Sequence, residues 1–184
     1  MRTFISINLP EEFKAELAEA VRSLRQKYTE GINWVATENY HITFIFLGET
    51  SSRQIDRIKE IINETLFGLS CQKILIEKLE FIPRVNPRLF WLSARLEEKQ
   101  LYIKWEKMRE ALTAEGFSLD SRELKLHITI ARIKKRLPKY SETHFLTTEL
   151  KSRRTNIEQI SLMKSNFTSS GVKYDKLYSY ELNK

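Results

Sequence analysis

The spacing of apolar and polar residues changes period several times along the chain, and each change predicts an element. Residues 2–9 alternate as Arg-Thr-Phe-Ile-Ser-Ile-Asn-Leu and read as a strand. Pro10, Glu11 and Glu12 then open a helix whose apolar stripe is Phe13, Leu17, Val21, Leu24 and Tyr28. Gly31 and Asn33 break it, and Trp34 and Val35 lead toward a strand starting near Tyr40. Thr50, Ser51 and Ser52 offer caps for a second helix carrying Ile55, Ile58, Ile62 and Leu66, with Gly68 at its end. Strands follow at 73–82 and 88–96, joined by a Pro-Arg-Val-Asn-Pro connection typical of a loose hairpin. A third helix bears Leu101, Trp105, Met108 and Leu112 and closes at Gly116. The chain then reads as a strand at 125–133, a basic loop, and a hairpin of 157–165 with 173–182 turning at Thr168 to Gly171. This order predicts an α+β fold.

Two of these strands open alike. Residues 41–48 read HITFIFLG and residues 127–134 read HITIARIK, 86 positions apart. Strict alternation sends Ile42, Phe44 and Phe46 to one face as core, and His41, Thr43 and Ile45 to the other. In the second copy it separates His127, Thr129 and Ala131 from Ile128 and Ile130. With 3 His in 184 residues, two His-x-Thr matches by composition alone come to roughly 1.5 per cent. Duplication is the better account, so two similar lobes are expected, each presenting a His and a Thr to a shared cleft.

Paired imidazoles suit phosphoryl chemistry. One neutral ring takes a proton from water or a hydroxyl while a protonated ring supplies one to the departing oxygen. Threonine hydroxyls can donate to non-bridging phosphate oxygens. A net charge of +7 favours an anionic partner such as RNA, DNA or a phosphorylated small molecule. The run Arg132, Lys134, Lys135 and Arg136 reads either as solvated surface or as a guide for RNA beside the second motif.

Other chemistries fit poorly. Two His without an Asp, Glu or Cys at ligand spacing make an incomplete metal site, so neither metal nor cofactor is expected. No G-x-S-x-G and no Gly-rich phosphate loop occurs, and Cys71 has no His in its local sequence. A single cysteine rules out an internal disulfide and points to the cytosol, so a cytoplasmic protein is expected. The opening MRTFISINLPEEF meets Pro10 and two Glu too soon for a signal peptide, and no run approaches the roughly 20 apolar residues of a membrane span. Hydrophobic residues at 41% and charged residues at 30% are ordinary for a globular chain, with no linker composition, so residues 1–184 read as one bilobal domain, monomeric by default. His144, with no Thr two places on, reads as a surface residue; Trp91 and Trp105 read as core.

The paired motifs resemble those of the two-histidine (2H) phosphoesterase superfamily. Within it the chain is most similar to the RNA 2',3'-cyclic phosphodiesterases, also described as 2'-5' RNA ligases. The stretches that agree are RTFISINLP, NWVATENYHITFIFLGE, NPRLFWL and LHITIARIKK, with Ser165 and the Gly171-to-Tyr174 spacing in the tail. Leu126 stands where many relatives have proline. The resemblance implies two pseudo-symmetric lobes of antiparallel sheet, helices packed outside, and an active-site cleft between them. It makes His41 the proton donor and His127 the proton acceptor, or the reverse, with Thr43, Thr129 and Arg132 holding the phosphate. Alternation would turn Arg132 away from His127, so Arg132 has to arrive over a strand end or through a bulge. The implied substrate is RNA with a 2',3'-cyclic phosphate end, or a related cyclic nucleotide, hydrolysed to a 2'-phosphomonoester. The reverse ligation and non-catalytic RNA binding are the alternatives.

Overall fold

A computed structural model describes residues 1–137, 153–169 and 171–184. Nine strands and four helices are described, in the order β1 (Arg2–Asn8), α1 (Glu11–Ala20), α2 (Arg22–Lys27), β2 (Ile32–Trp34), β3 (His41–Glu49), α3 (Ser52–Leu66), β4 (Gln72–Ile82), β5 (Leu89–Leu96), α4 (Gln100–Ala114), β6 (His127–Ile133), β7 (Arg153–Ile157), β8 (Gln159–Thr168) and β9 (Gly171–Glu181). A single 3-10 turn, Thr37–Asn39, precedes β3. The expected first helix is two segments, because Val21 leaves helical geometry at φ −100° and ψ 4°. α3 starts as the caps predict: the Ser51 N–H donates to Gln54 Oε1 at 2.9 Å. β2 and β7 are additions to the elements the pattern predicts, and β6 begins at His127 rather than at residue 125.

All described strands join one curled antiparallel sheet in the order β7-β4-β5-β6-β3-β1-β8-β9, with β2 pairing the far end of β6 on the edge away from β5. The order is symmetric about its centre. β6-β5-β4-β7 forms one half and β3-β1-β8-β9 the other, and the two meet through the pair Ile42↔Ile128, the residues directly after the two motif histidines. α3 and α4 pack against each other, with α3 also touching β9 and α4 touching β3.

Bulges make the motif strands depart from simple alternation. Ser6 pairs with Thr43 and Ile5 with Ile45, so Phe44 is an extra residue in β3. Trp91 pairs with Thr129 and Phe90 with Ala131, so Ile130 is the extra residue in β6. Each bulged carbonyl is satisfied from outside the main ladder: the Trp105 indole N–H donates to Phe44 O at 2.9 Å, and the Val35 N–H to Ile130 O at 2.8 Å. Beyond each bulge the faces exchange. Ile45 is therefore buried at 5% exposure and Phe46 points outward at 44%, the opposite of the alternating prediction.

The core fills the sheet face away from the histidines. Ile5, Ile7, Ile42, Ile128, Ile130 and Leu92 pack there with Ile58, Ile62 and Leu66 of α3 and Met108 and Leu112 of α4. Trp105 joins them, as expected from its helical stripe. No helix among the described residues is long and apolar enough to cross a membrane.

Candidate active site

His41 and His127 each occupy the first position of their strand. The antiparallel pair Ile42↔Ile128, one residue past each histidine, brings the two strand starts together, and the charge of His127 is felt at His41. Both rings are half-buried on the face opposite the core.

Each imidazole is held in the same way. His41 Nδ1 lies 2.8 Å from Asn39 O, and His127 Nδ1 lies 2.7 Å from Lys125 O, in both cases the carbonyl two residues back. A carbonyl only accepts, so Nδ1 carries the hydrogen and Nε2 is left as the reactive nitrogen. His41 Nε2 stands 3.2 Å from Thr43 Oγ1. The His-x-Thr spacing is thus a local unit: two residues along a strand return to the same face, where the hydroxyl meets the ring.

Arg132 reaches this face through the Ile130 bulge, which resolves the conflict with alternation. It is exposed, and its charge acts on both His41 and Tyr174. Phe46 holds the corresponding place five residues after His41. Its ring lies under the Arg2 guanidinium at 4.9 Å.

Around the histidines stand residues that the sequence alone does not place there. Trp91, expected in the core, is half-buried on the site face with its ring centroid 4.0 Å from that of His127, and its indole N–H donates to Glu80 Oε2 at 3.3 Å. Phe4 lies 5.0 Å from His41 in a tilted arrangement, and Tyr174 meets His41 edge-on at 5.1 Å. Lys14 of α1 is 9% exposed, bonded to Glu11 Oε1 at 2.7 Å, and its charge also acts on His41. The signal for Trp91 is its phase: it alternates in step with Ser93 and out of step with Phe90, Leu92 and Ala94. Lys14 sits in a distant element and nothing local announces it, while Tyr174 enters the sequence reading only through the Gly171-to-Tyr174 spacing of the tail.

Burial lowers the His41 pKa below the ordinary 6.5; the Asn39 carbonyl opposes this, while the nearby charges of His127, Lys14 and Arg132 lower it further. Burial also lowers His127, against the stabilising Lys125 carbonyl. Burial raises the Tyr174 hydroxyl, and Arg132 partly offsets this. For Glu80 burial acts upward, but hydrogen bonds from Lys78 and Trp91 outweigh it and hold the carboxyl below its usual range.

Among the described residues no group of three or more His, Cys, Asp or Glu is placed to hold a metal ion. Cys71 is a half-buried free thiol in the α3–β4 connection. His144 lies outside the described residues.

Residues 7–91 match the family model described as LigT-like phosphoesterase. The chain is 34% identical to the RNA 2',3'-cyclic phosphodiesterase of Methanocaldococcus jannaschii, over 95% of this chain and 97% of that protein. It is 33% identical to the protein of the same name from Thermotoga maritima, over 73% of this chain and 71% of the other. Among solved structures, the TT0787 protein of Thermus thermophilus superposes with a TM-score of 0.81 at 23% identity, covering 99% of this chain and 98% of the other. Escherichia coli LigT complexed with 3'-AMP gives 0.77 at 20% identity, covering 100% and 98%. By sequence, and with a fold to match, the chain belongs to the LigT-like phosphoesterase family of the two-histidine superfamily.

Proposed function

We propose that this protein opens the 2',3'-cyclic phosphate at the end of an RNA to leave a 2'-phosphomonoester, by acid-base catalysis that needs no metal. His127 Nε2 takes a proton from water as its oxygen attacks phosphorus. The bond from phosphorus to the 3' oxygen breaks, and His41 Nε2 delivers the proton that oxygen needs. Thr43, Thr129 and Arg132 bind the non-bridging oxygens, where charge builds up in the transition state.

The observation that carries this reading is the matched pair of rings, each tied through Nδ1 to the backbone carbonyl two residues back, which leaves Nε2 as the nitrogen available for proton transfer. The surroundings suit unequal roles. Positive neighbours around His41 make its protonated form the readier donor, and the Trp91 face at 4.0 Å supports positive charge on His127 once it has taken the proton. The names of the relatives agree with this substrate.

The test is incubation of metal-stripped protein with a short RNA ending in 2',3'-cyclic phosphate, followed by product analysis. A 2'-phosphate end is expected, and His41→Ala and His127→Ala should each slow turnover by about 10²- to 10⁴-fold. Undiminished activity in both variants, or strict dependence on an added metal, would defeat the proposal. A 5'-hydroxyl RNA in the same mixture measures the reverse joining reaction.

A further inference from the structure

We infer that a second anion site, built from the β4–β5 connection and the segment after β6, holds a backbone phosphate of the RNA upstream of its cyclic end; this rests on the RNA reading above. A pocket of about 220 Å³ opens there, lined by Asn86, Pro87, Arg88, Lys135 and Arg136. Three of its five lining residues are cations and none is a carboxylate. Arg57, Arg95, Arg122 and Arg154 each pair with a Glu or Asp, whereas Arg88, Lys135 and Arg136 have no ion-pair partner among the described residues. Cations gathered without counter-charge repel one another, and an anion between them relieves that repulsion.

The backbone beneath these side chains is held by three chain segments. The Arg88 N–H donates to Ile82 O, and Arg88 O accepts from the Ile133 N–H, both at 2.9 Å. Gly31 O accepts from the Lys134 and Lys135 N–H groups at 2.8 and 3.3 Å. Gly31 adopts φ +71°, and a Cβ on it would come within 2.9 Å of the Lys135 Cβ, so this close approach needs glycine. Asn86 turns the β4–β5 connection with φ +53°, a left-handed conformation that Asn tolerates.

The pocket also lies on the path from the histidines. Arg132, on the histidine face, pairs across the sheet with Leu89, the neighbour of Arg88, and precedes Lys135 by three residues. A strand whose terminal phosphate lies at His41 and His127 and whose chain passes Arg132 therefore meets this pocket next. Guanidinium and ammonium groups on a phosphodiester chain give sequence-independent, salt-sensitive binding.

The test compares wild type with an Arg88→Ala/Arg136→Ala double variant on two substrates: a mononucleoside 2',3'-cyclic phosphate and a ten-nucleotide RNA with the same end. The variant should match wild type on the mononucleoside and lose about tenfold in kcat/KM on the RNA. Its dependence of log kcat/KM on log salt should be shallower by about 0.7 for each phosphate contact removed. Binding of a ten-nucleotide RNA with a 2'-phosphate end, read by fluorescence anisotropy, should weaken to a similar degree. That arm stands even if neither substrate is turned over, an outcome that would fell the catalytic reading alone. Equal losses on both substrates, or unchanged RNA binding by the variant, would overturn the site.

Discussion

The two halves of the sheet share a backbone device and differ in what surrounds it. On β3 and on β6 the same sequence of events occurs: a histidine tied to the carbonyl two residues back, a threonine on the same face, a bulge, and a side chain returned to the histidine face. That last side chain is Phe46 in one half and Arg132 in the other. Beside His41 the strand partners are small and polar. Asn8 Nδ2 donates to Gln159 Oε1 at 2.6 Å and to Ser161 Oγ at 2.7 Å, while Ser6 Oγ donates to Asn8 Oδ1 at 2.9 Å. Beside His127 the partners are Trp91 and Ser93, backed by Glu80 and Lys78 on β4. The two halves thus share the geometry that fixes the rings and differ in the charged and aromatic groups around them, a difference that suits the donor and acceptor roles proposed above.

The inequality of the halves is greatest at the position after each bulge. Arg132→Ala should reduce kcat/KM by about 10- to 100-fold, the worth of a charge-assisted hydrogen bond, while Phe46→Ala should cost far less. Equal losses would mean that the halves are not functionally unequal. Next in size is a stability difference. Ser161 is fully buried and bonded to Asn8 and to Ser179 Oγ at 2.7 Å, so Ser161→Ala should cost about 1–3 kcal/mol in denaturant unfolding. Ser93→Ala, which removes an exposed bond to Lys78 O and a weak one to the Glu80 carboxylate, should stay within about 0.5 kcal/mol.

Titration separates the two rings by the smallest margin. The proposed mechanism requires one neutral and one protonated ring, and both pKa values are lowered from 6.5, so the bell-shaped profile of kcat/KM should peak on the acidic side of that value. Activity falls at higher pH as the donor loses its proton and at lower pH as the acceptor gains one. Removing a positive neighbour favours the protonated form, so Lys14→Met should raise the His41 pKa and leave His127 where it was, as read by NMR titration of the ring protons. A shift of both rings together would point to a general loosening of the site.

The placement of the proposed site residues is legible in the sequence because it is local. His41, Thr43, His127 and Thr129 are two-residue units on strands, and period-2 spacing alone puts each pair on one face. Arg132 is readable only as a contradiction, since alternation points it away while the resemblance requires it. The bulges that settle the matter depend on Trp105 and Val35, remote partners that supply the displaced hydrogen bonds. Alternation misplaces Phe46 and Ile45 for the same reason. Trp91 reads as core because a large apolar ring in a strand usually is, whereas here it covers an imidazole. β2, with three residues, and β7, in a polar stretch, exist because β6 and β4 offer them a free edge, and neither carries enough pattern to announce itself.

The ties from Nδ1 to Asn39 O and Lys125 O use main chain only. No replacement of the side chains at those two positions can delete the acceptor, so these ties by themselves place no demand on the composition of the approaches to the two motifs. What they must preserve is the path by which the polypeptide enters each strand.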